Sequence, residues 1–294
     1  MKYIKYTDWR KKLEDKGILY IVGTPIGNLK DITLRAIETL ENVDIILAED
    51  TRQTVKLLNH FNIKKQMISY HRHNEDEKIN QVVSLLDLGK NIALVSDAGM
   101  PIISDPGQSL VKYLTQNSYK IETIPGVTAL TTAIVKSGVD STRFIFEGFL
   151  SINKKQRKEK LESIVNETRT IIFYEAPHKL LYTLKDLKIF LGDRKVCIAR
   201  ELTKIYEEFL YDNLSNLISK IEEKPLKGEI VLIVEGKNED ELKQEKLNEI
   251  ENKTNIELVK KLINEGIDKK EAIKKVAKLK DINKNEVYKD CIDL

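Results

Sequence analysis

Apolar positions along this chain fall in short runs separated by stretches of helical period. Up to Pro125 the runs are Ile18–Val22, Val43–Ala48, Met67–Tyr70, Ile92–Val95 and Tyr119–Ile124. Between them, Ile32–Leu40, Val55–Phe61, Ile79–Leu88 and Leu110–Gln116 carry apolar residues three and four positions apart. Short β-branched runs that are apolar at almost every position read as strands buried on both faces. Their alternation with helices predicts a mostly parallel sheet covered on both sides. Asp31 is placed to cap the first helix and Gly89 to close the third.

A second unit extends from about Val139 to Gly236. Its strands are predicted at Arg143–Gly148, Thr170–Tyr174, Lys195–Ala199, Tyr206–Tyr211 and Ile230–Val234, with helices near Arg157–Asn166, Pro177–Phe190 and Leu214–Glu223. The interval between Lys195–Ala199 and Tyr206–Tyr211 is too short for a helical crossover, so those two strands are antiparallel neighbours and the sheet is mixed. From Lys237 onward there is no proline, a single glycine, and a high density of Lys and Glu. Helices are predicted around Ile256–Ile263, after an Asp268 cap, and from Asn283 to Ile292, with Gly266 as a stop and a charged linker leading in. The fold class is α/β: an N-terminal extension over 1–17, a first α/β domain over 18–137, a second over 138–237, and a linker with a small helical domain over 238–294.

Bulk properties narrow this picture. The 294 residues exceed one ordinary core, and 41% hydrophobic with 32% charged residues describes a water-soluble globular chain. No run approaches the ~18 apolar residues of a membrane span. Met1–Gly17 is charge-alternating around Trp9 without an apolar signal core, so the expected location is the cytoplasm. Cys197 and Cys291 fit a reducing compartment. The formal charge of +3 is the balance of 49 basic and 46 acidic residues, so only local clusters can point to a polyanion.

Candidate chemistry gathers where strands end, the position at which open α/β sheets bind ligands. Gly23-Thr24-Pro25-Ile26-Gly27 follows the first strand and Asp97–Gly107 follows Ile92–Val95. Neither is a phosphate cradle, because Pro25 stands where a dinucleotide fingerprint has its second glycine and lacks an N–H. Pro125-Gly126-Val127-Thr128-Ala129 is a third junction, with Thr128 available as a helix cap. Glu49-Asp50-Thr51-Arg52, Glu175-Ala176-Pro177-His178 and Arg200-Glu201-Leu202-Thr203 set acids beside cations or imidazole at further strand ends. His71 and His73 could share a strand face as metal ligands, but no third ligand recurs, so no metal is expected. Lys154, Lys155, Arg157, Lys158 and Lys160 form a basic run that is either a solvated helix start or a phosphate-contacting arm. Lys270, Lys274 and Lys278 share a face in the tail, away from Ile273, Val276 and Ala277.

Seven ordered strings carry a resemblance: GTPIGNL from Gly23, AEDTR from Ala48, SDAGMPIISDPG from Ser96, PGVTA from Pro125, FYEAPH from Phe173, RELTK from Arg200 and KGEIVLIVEG from Lys227. Together they resemble the bacterial small-subunit (16S) ribosomal RNA cytidine 2′-O-methyltransferases of the tetrapyrrole methylase superfamily, over about Ile18 to Gly236. The tail is similar to that family's helical C-terminal domain. The resemblance implies two α/β domains with S-adenosylmethionine in the cleft between them, a homodimer, and a decoding-centre cytidine ribose in 16S ribosomal RNA or the small subunit as substrate. It implies cofactor contacts from Pro25, Ala98, Gly99, Met100, Ile103, Thr128 and Ala129, with Glu175 and Leu202 from the second domain. Relatives that modify tetrapyrroles have a Gly-rich, acidic first loop and a Gly-Gly-Asp-Pro second loop. Thr24-Pro25-Ile26 and Ala98-Gly99-Met100-Pro101 depart from both, which favours RNA over a porphyrin.

Within that reading a carboxylate or imidazole takes the ribose hydroxyl proton. The candidates are Asp50, Glu201 and His178, with Arg52 and Arg200 orienting ribose or phosphate. The rival functions are a tetrapyrrole or other small-molecule methyltransferase, a nicotinamide oxidoreductase, and a non-catalytic RNA-binding assembly factor.

Overall fold

The computed structural model describes residues 16–72, 74–292 and 294; the N-terminal segment up to residue 15 and His73 lie outside the described residues. Five strands, β1 (Leu19–Val22), β2 (Ile45–Ala48), β3 (Gln66–Ser69), β4 (Ile92–Val95) and β5 (Ile121–Ile124), form one sheet in the order β3-β2-β4-β1-β5. Every pairing in it is parallel. Helices α1 (Leu34–Asn42), α2 (Thr51–His60), α3 (Glu75–Asp87), α4 (Gln108–Gln116) and α5 (Ala129–Lys136) alternate with the strands. Because side chains alternate along each strand, Leu19, Leu47 and Leu94 pack with Val82, Leu86, Leu110 and Leu114 of α3 and α4. Val22, Ile46 and Val95 face the other way, onto Ala36, Leu40 and Leu58 of α1 and α2.

The second sheet runs β6-β7-β10-β8-β9, from β6 (Phe144–Phe149), β7 (Thr170–Glu175), β8 (Lys195–Arg200), β9 (Glu208–Asn213) and β10 (Ile230–Val234). Only β6 and β7 are parallel; β10 is antiparallel to β7 and β8, and β8 to β9, the mixed sheet expected from the short β8–β9 interval. One face packs on α6 (Lys154–Ser163), α7 (Leu180–Leu191) and α8 (Leu214–Glu223). The other receives α5 of the first domain: Leu130, Ala133 and Ile134 join Ile26 in a single cluster with Ile172, Cys197, Ala199, Val231 and Ile233. That shared apolar cluster makes the two α/β domains one compact unit, ending at Ile164 and resuming over Arg169–Glu235.

Val165–Thr168 and Gly236–Leu294 form a separate unit. Among the described residues beyond 238 its regular elements are helices, α9 (Glu239–Asn252), α10 (Asn255–Asn264), α11 (Lys269–Lys280) and α12 (Lys284–Asp290), and its core includes Val259, Ile273, Val276, Val287 and Cys291. Gly266 and Asp268 take the stop and cap positions expected of them, Gly266 with φ +89 and Asp268 accepting the Lys270 N–H. Thr254 and Glu257 close a reciprocal capping box on α10.

Two local expectations are corrected. Asp31 belongs to a short 3-10 turn, and Thr33 caps α1 instead by accepting the Ala36 N–H at 3.1 Å. The charged linker is helix α9: Asn238 accepts the Asp240 and Glu241 N–H groups, and three acids in the first turn complement the helix dipole.

The first sheet also explains two glycines. A Cβ on Gly126 would lie 2.9 Å from the Cα of Gly23, so the chains leaving β1 and β5 touch backbone to backbone. Neither side has a flexible group to yield. Gly126→Ala is therefore expected to cost about 1–3 kcal/mol of folding free energy, as overpacking does. Urea unfolding of the variant beside the parent protein measures this directly.

Candidate active site

The strand ends of both domains meet around a cavity of about 440 Å³. The loops after β1 and β4 are joined there before any ligand is considered. Thr24 and Gly99 exchange backbone hydrogen bonds of 2.9 and 3.1 Å, and the buried Thr24 hydroxyl donates to the Ser96 carbonyl at 3.2 Å. This isolated bridge turns the two loops into one wall. On it lie Ile26, Ala98, Gly99, Met100 and Ile103, with Thr128 and Ala129 from the start of α5. Thr128 caps α5, accepting the Thr131 N–H, so one residue serves as cap and cavity wall together. The second domain contributes Phe149, Tyr174–Pro177, Leu202 and Gly228–Val231. Of the nine residues implied as cofactor contacts, eight line this cavity; Pro25 does not, its neighbour Ile26 pointing there instead.

The lining has a pronounced charge character. Glu49, Asp97, Asp105, Glu175 and Glu229 all line it, and the lining residues include no Lys, Arg or His. Burial lifts the Asp105 carboxyl to about 6, with repulsion from Glu49 adding to it. Glu49 and Asp97 are also raised, by burial first. An anionic ligand would meet these walls unfavourably, whereas a ligand carrying positive charge would be stabilised.

None of the five residues expected to do chemistry lines this cavity. Asp50 caps α2 through the Arg52 N–H at 2.8 Å and pairs with the Arg52 guanidinium at 2.7 Å. Those bonds hold its carboxyl at about 2, which makes it a weak proton acceptor, and the Arg52 side chain projects into solvent. Glu201 accepts the Lys204 ammonium at 2.9 Å and the Glu229 N–H at 3.0 Å. Burial raises this carboxyl, but those bonds outweigh it and leave it below the ordinary value. It also packs against Gly228 (φ +92), where a Cβ would stand 2.4 Å from Glu201 Oε1. Arg200 is occupied by Glu208 at 3.0 Å and the Lys227 carbonyl at 3.2 Å. His178 is exposed after Pro177. Among the acids that do line the cavity, Glu49, Asp97 and Asp105 stood within the strand-end motifs, but nothing in their spacing set them above Asp50. His73, half of the histidine pair, lies outside the described residues.

The basic run divides in the same way. Lys154, Lys155, Lys158 and Lys160 are exposed on α6, Lys160 pairing with Glu147 at 2.6 Å. Arg157 is corrected: it turns inward and is 5% exposed. It bonds Asp186 at 2.5 Å and the Thr183 hydroxyl at 2.8 Å, and lies over the Tyr182 ring. Thr183 donates in turn to Glu175 Oε2 at 2.5 Å, while Glu175 Oε1 accepts the Ala176 N–H. A buried polar chain thus runs from α6 to the cavity wall, and Arg157 is part of its support.

A sequence model of the Tetrapyrrole (Corrin/Porphyrin) Methylases matches residues 18–218. The chain belongs to the tetrapyrrole methylase family. Within that family it is 47% identical over 274 residues to Ribosomal RNA small subunit methyltransferase I of Bacillus subtilis (strain 168), covering 93% of this chain and 94% of the relative. The protein of the same name in Thermotoga maritima is 49% identical over 220 residues, which span 75% of this chain and 99% of the relative. Among solved structures, uroporphyrin-III C-methyl transferase from Thermus thermophilus complexed with S-adenyl homocysteine is similar at a TM-score of 0.55 and 16% identity, covering 75% of this chain and 98% of that one. That last likeness is one of fold.

Removing Arg157 would leave the part-buried Asp186 without its cation and take away the guanidinium that holds Thr183 against the buried Glu175. Arg157→Ala is expected to cost about 3–5 kcal/mol, against about 0.5 kcal/mol or less for the exposed Lys155→Ala. Equilibrium denaturation of the two variants separates these outcomes.

Proposed function

We propose that this protein transfers a methyl group from S-adenosylmethionine to the ribose 2′-oxygen of a cytidine in small-subunit ribosomal RNA. The observation that carries the reading is the cavity's charge: five acidic residues and no basic residue in its lining, on loops without a phosphate cradle. S-adenosylmethionine suits such walls, having a sulfonium, an ammonium group and no phosphate. A nicotinamide dinucleotide, with its pyrophosphate, does not. Relatives at 47% and 49% identity named Ribosomal RNA small subunit methyltransferase I support RNA over a tetrapyrrole as acceptor.

When bound, the donor supplies an electrophilic methyl carbon. The chain's own part is to hold that carbon in line with the ribose oxygen and keep water out, and positioning of this kind contributes about 7–11 kcal/mol. The largely apolar residues Ile26, Met100, Ile103, Phe149 and Leu202 suit an adenosyl group and a dry reaction path. The exposed lysines of α6 are assigned to RNA phosphates, where contacts add affinity without reading sequence. The protein acts in this reading as a cytoplasmic homodimer.

Incubation with an isotopically labelled methyl donor and small subunits, followed by nuclease digestion, is expected to leave label on a cytidine ribose. Label on a base, or only on a tetrapyrrole supplied in parallel, would sink the assignment. Changing Lys154, Lys155, Lys158 and Lys160 together to Ala is expected to weaken RNA binding and flatten the slope of log affinity against log salt. Each lost phosphate contact removes about 0.7–0.9 from that slope. Donor affinity should stay at its parent value; an unaltered RNA isotherm would return α6 to the status of a solvated helix.

A further inference from the structure

Three carboxyl groups of the cavity wall stand within electrostatic reach of one another: Glu49 beyond β2, Asp97 beyond β4, and Asp105 further along the loop after β4. Two of them are engaged with backbone. Asp97 Oδ1 accepts the Asp50 N–H at 3.0 Å, and Glu49 accepts the N–H of Asp97. Asp105 takes a hydrogen bond from the Ser96 hydroxyl. Arg72 and Tyr174 are the other ionisable groups whose fields bear on Asp105, while His71 acts on Glu49 and the Asp50–Arg52 pair on Asp97.

The backbone carrying Asp105 is held firmly. Ile102 (φ +77) and Ser104 (φ +70) are both left-handed, a conformation that a β-branched residue adopts only when its surroundings impose it. Arg72 donates to the Ser104 carbonyl on one side of Asp105, and Glu75 accepts the Gly107 N–H at 3.0 Å on the other. Both clamps come from the segment between β3 and the first turn of α3. A carboxylate whose backbone is fixed on both sides, on the wall of the reaction cavity, is suited to a single task there.

We propose that Asp105 is the catalytic base, its carboxylate receiving the proton of the attacking ribose 2′-hydroxyl. This rests on the methyl-transfer reading above. A lone pair on O2′ forms the new C–O bond to the methyl carbon. The C–S bond breaks with its electron pair returning to sulfur, which becomes a neutral thioether. The hydroxyl proton passes to an Asp105 carboxylate oxygen and then to water. Burial, with repulsion from Glu49 adding to it, makes Asp105 a stronger base than an isolated aspartate while leaving it ionised at neutral pH.

The test is single-turnover methyl transfer to small subunits as a function of pH, with S-adenosylhomocysteine affinity measured by calorimetry. The parent rate should rise with pH through about 6, the value at which Asp105 ionises. Asp105→Asn is expected to lower the plateau rate by about 10²–10⁴-fold, the usual worth of a positioned base. Its S-adenosylhomocysteine affinity should match the parent. Glu49→Gln, which removes a repelling charge, should move the acid limb to lower pH, a shift that a merely structural role would not produce. A full rate in Asp105→Asn overturns the proposal, as does loss of S-adenosylhomocysteine binding, which would make Asp105 a donor contact. An unmoved acid limb in Glu49→Gln overturns it too. A parent protein that binds S-adenosylhomocysteine but methylates no RNA refutes the parent reading, whereas a normal rate in Asp105→Asn refutes the base alone.

Discussion

Two backbone hydrogen bonds between Thr24 and Gly99 are the constraint on which the rest of the site depends. They join loops from adjacent parallel strands that would otherwise leave the sheet independently. The close contact of Gly23 with Gly126 ties in the third loop, from β5. Once these chains are fixed, the start of α5 is fixed as well, and α5 carries the apolar cluster that bonds the two domains into one body. The cavity is therefore a product of strand order, since β4, β1 and β5 are consecutive in the sheet.

Much of this was legible in the sequence because both periods are strong. β1, β2 and β4 are apolar at nearly every position, and each strand among the described residues overlaps an expected run, with β9 starting two residues late because Tyr206 and Glu207 belong to the turn before it. α9 was obscured because its apolar positions are sparse and its charge resembles a linker. Thr33 displaced Asp31 as a cap because a 3-10 turn consumes the residues before it, which composition does not reveal. The strand-end motifs led to the correct region, yet they could not rank the acids in it. Whether a carboxylate is spent on a cap, as Asp50 is, or lines a cavity, as Asp105 does, depends on partners set by the fold. Arg157 shows the same limit: its partners Thr183 and Asp186 sit on another helix.

Charge is also divided by depth. Exposed lysines lie on α6, three of them paired with glutamates, while carboxylates line the cavity and disfavour an anionic group there. The buried Arg157–Thr183–Glu175 chain spans these two environments and fixes their separation.

The left-handed residues Ile102 and Ser104 have one more consequence. Each such conformation costs of order 1–3 kcal/mol, and here folding has already met that cost. A ligand arriving at these two residues finds their backbone already in place, so ordering them is not deducted from its affinity, although the loss of its own translational and rotational freedom still is. Conformational work done at synthesis thus becomes rigidity available at every turnover.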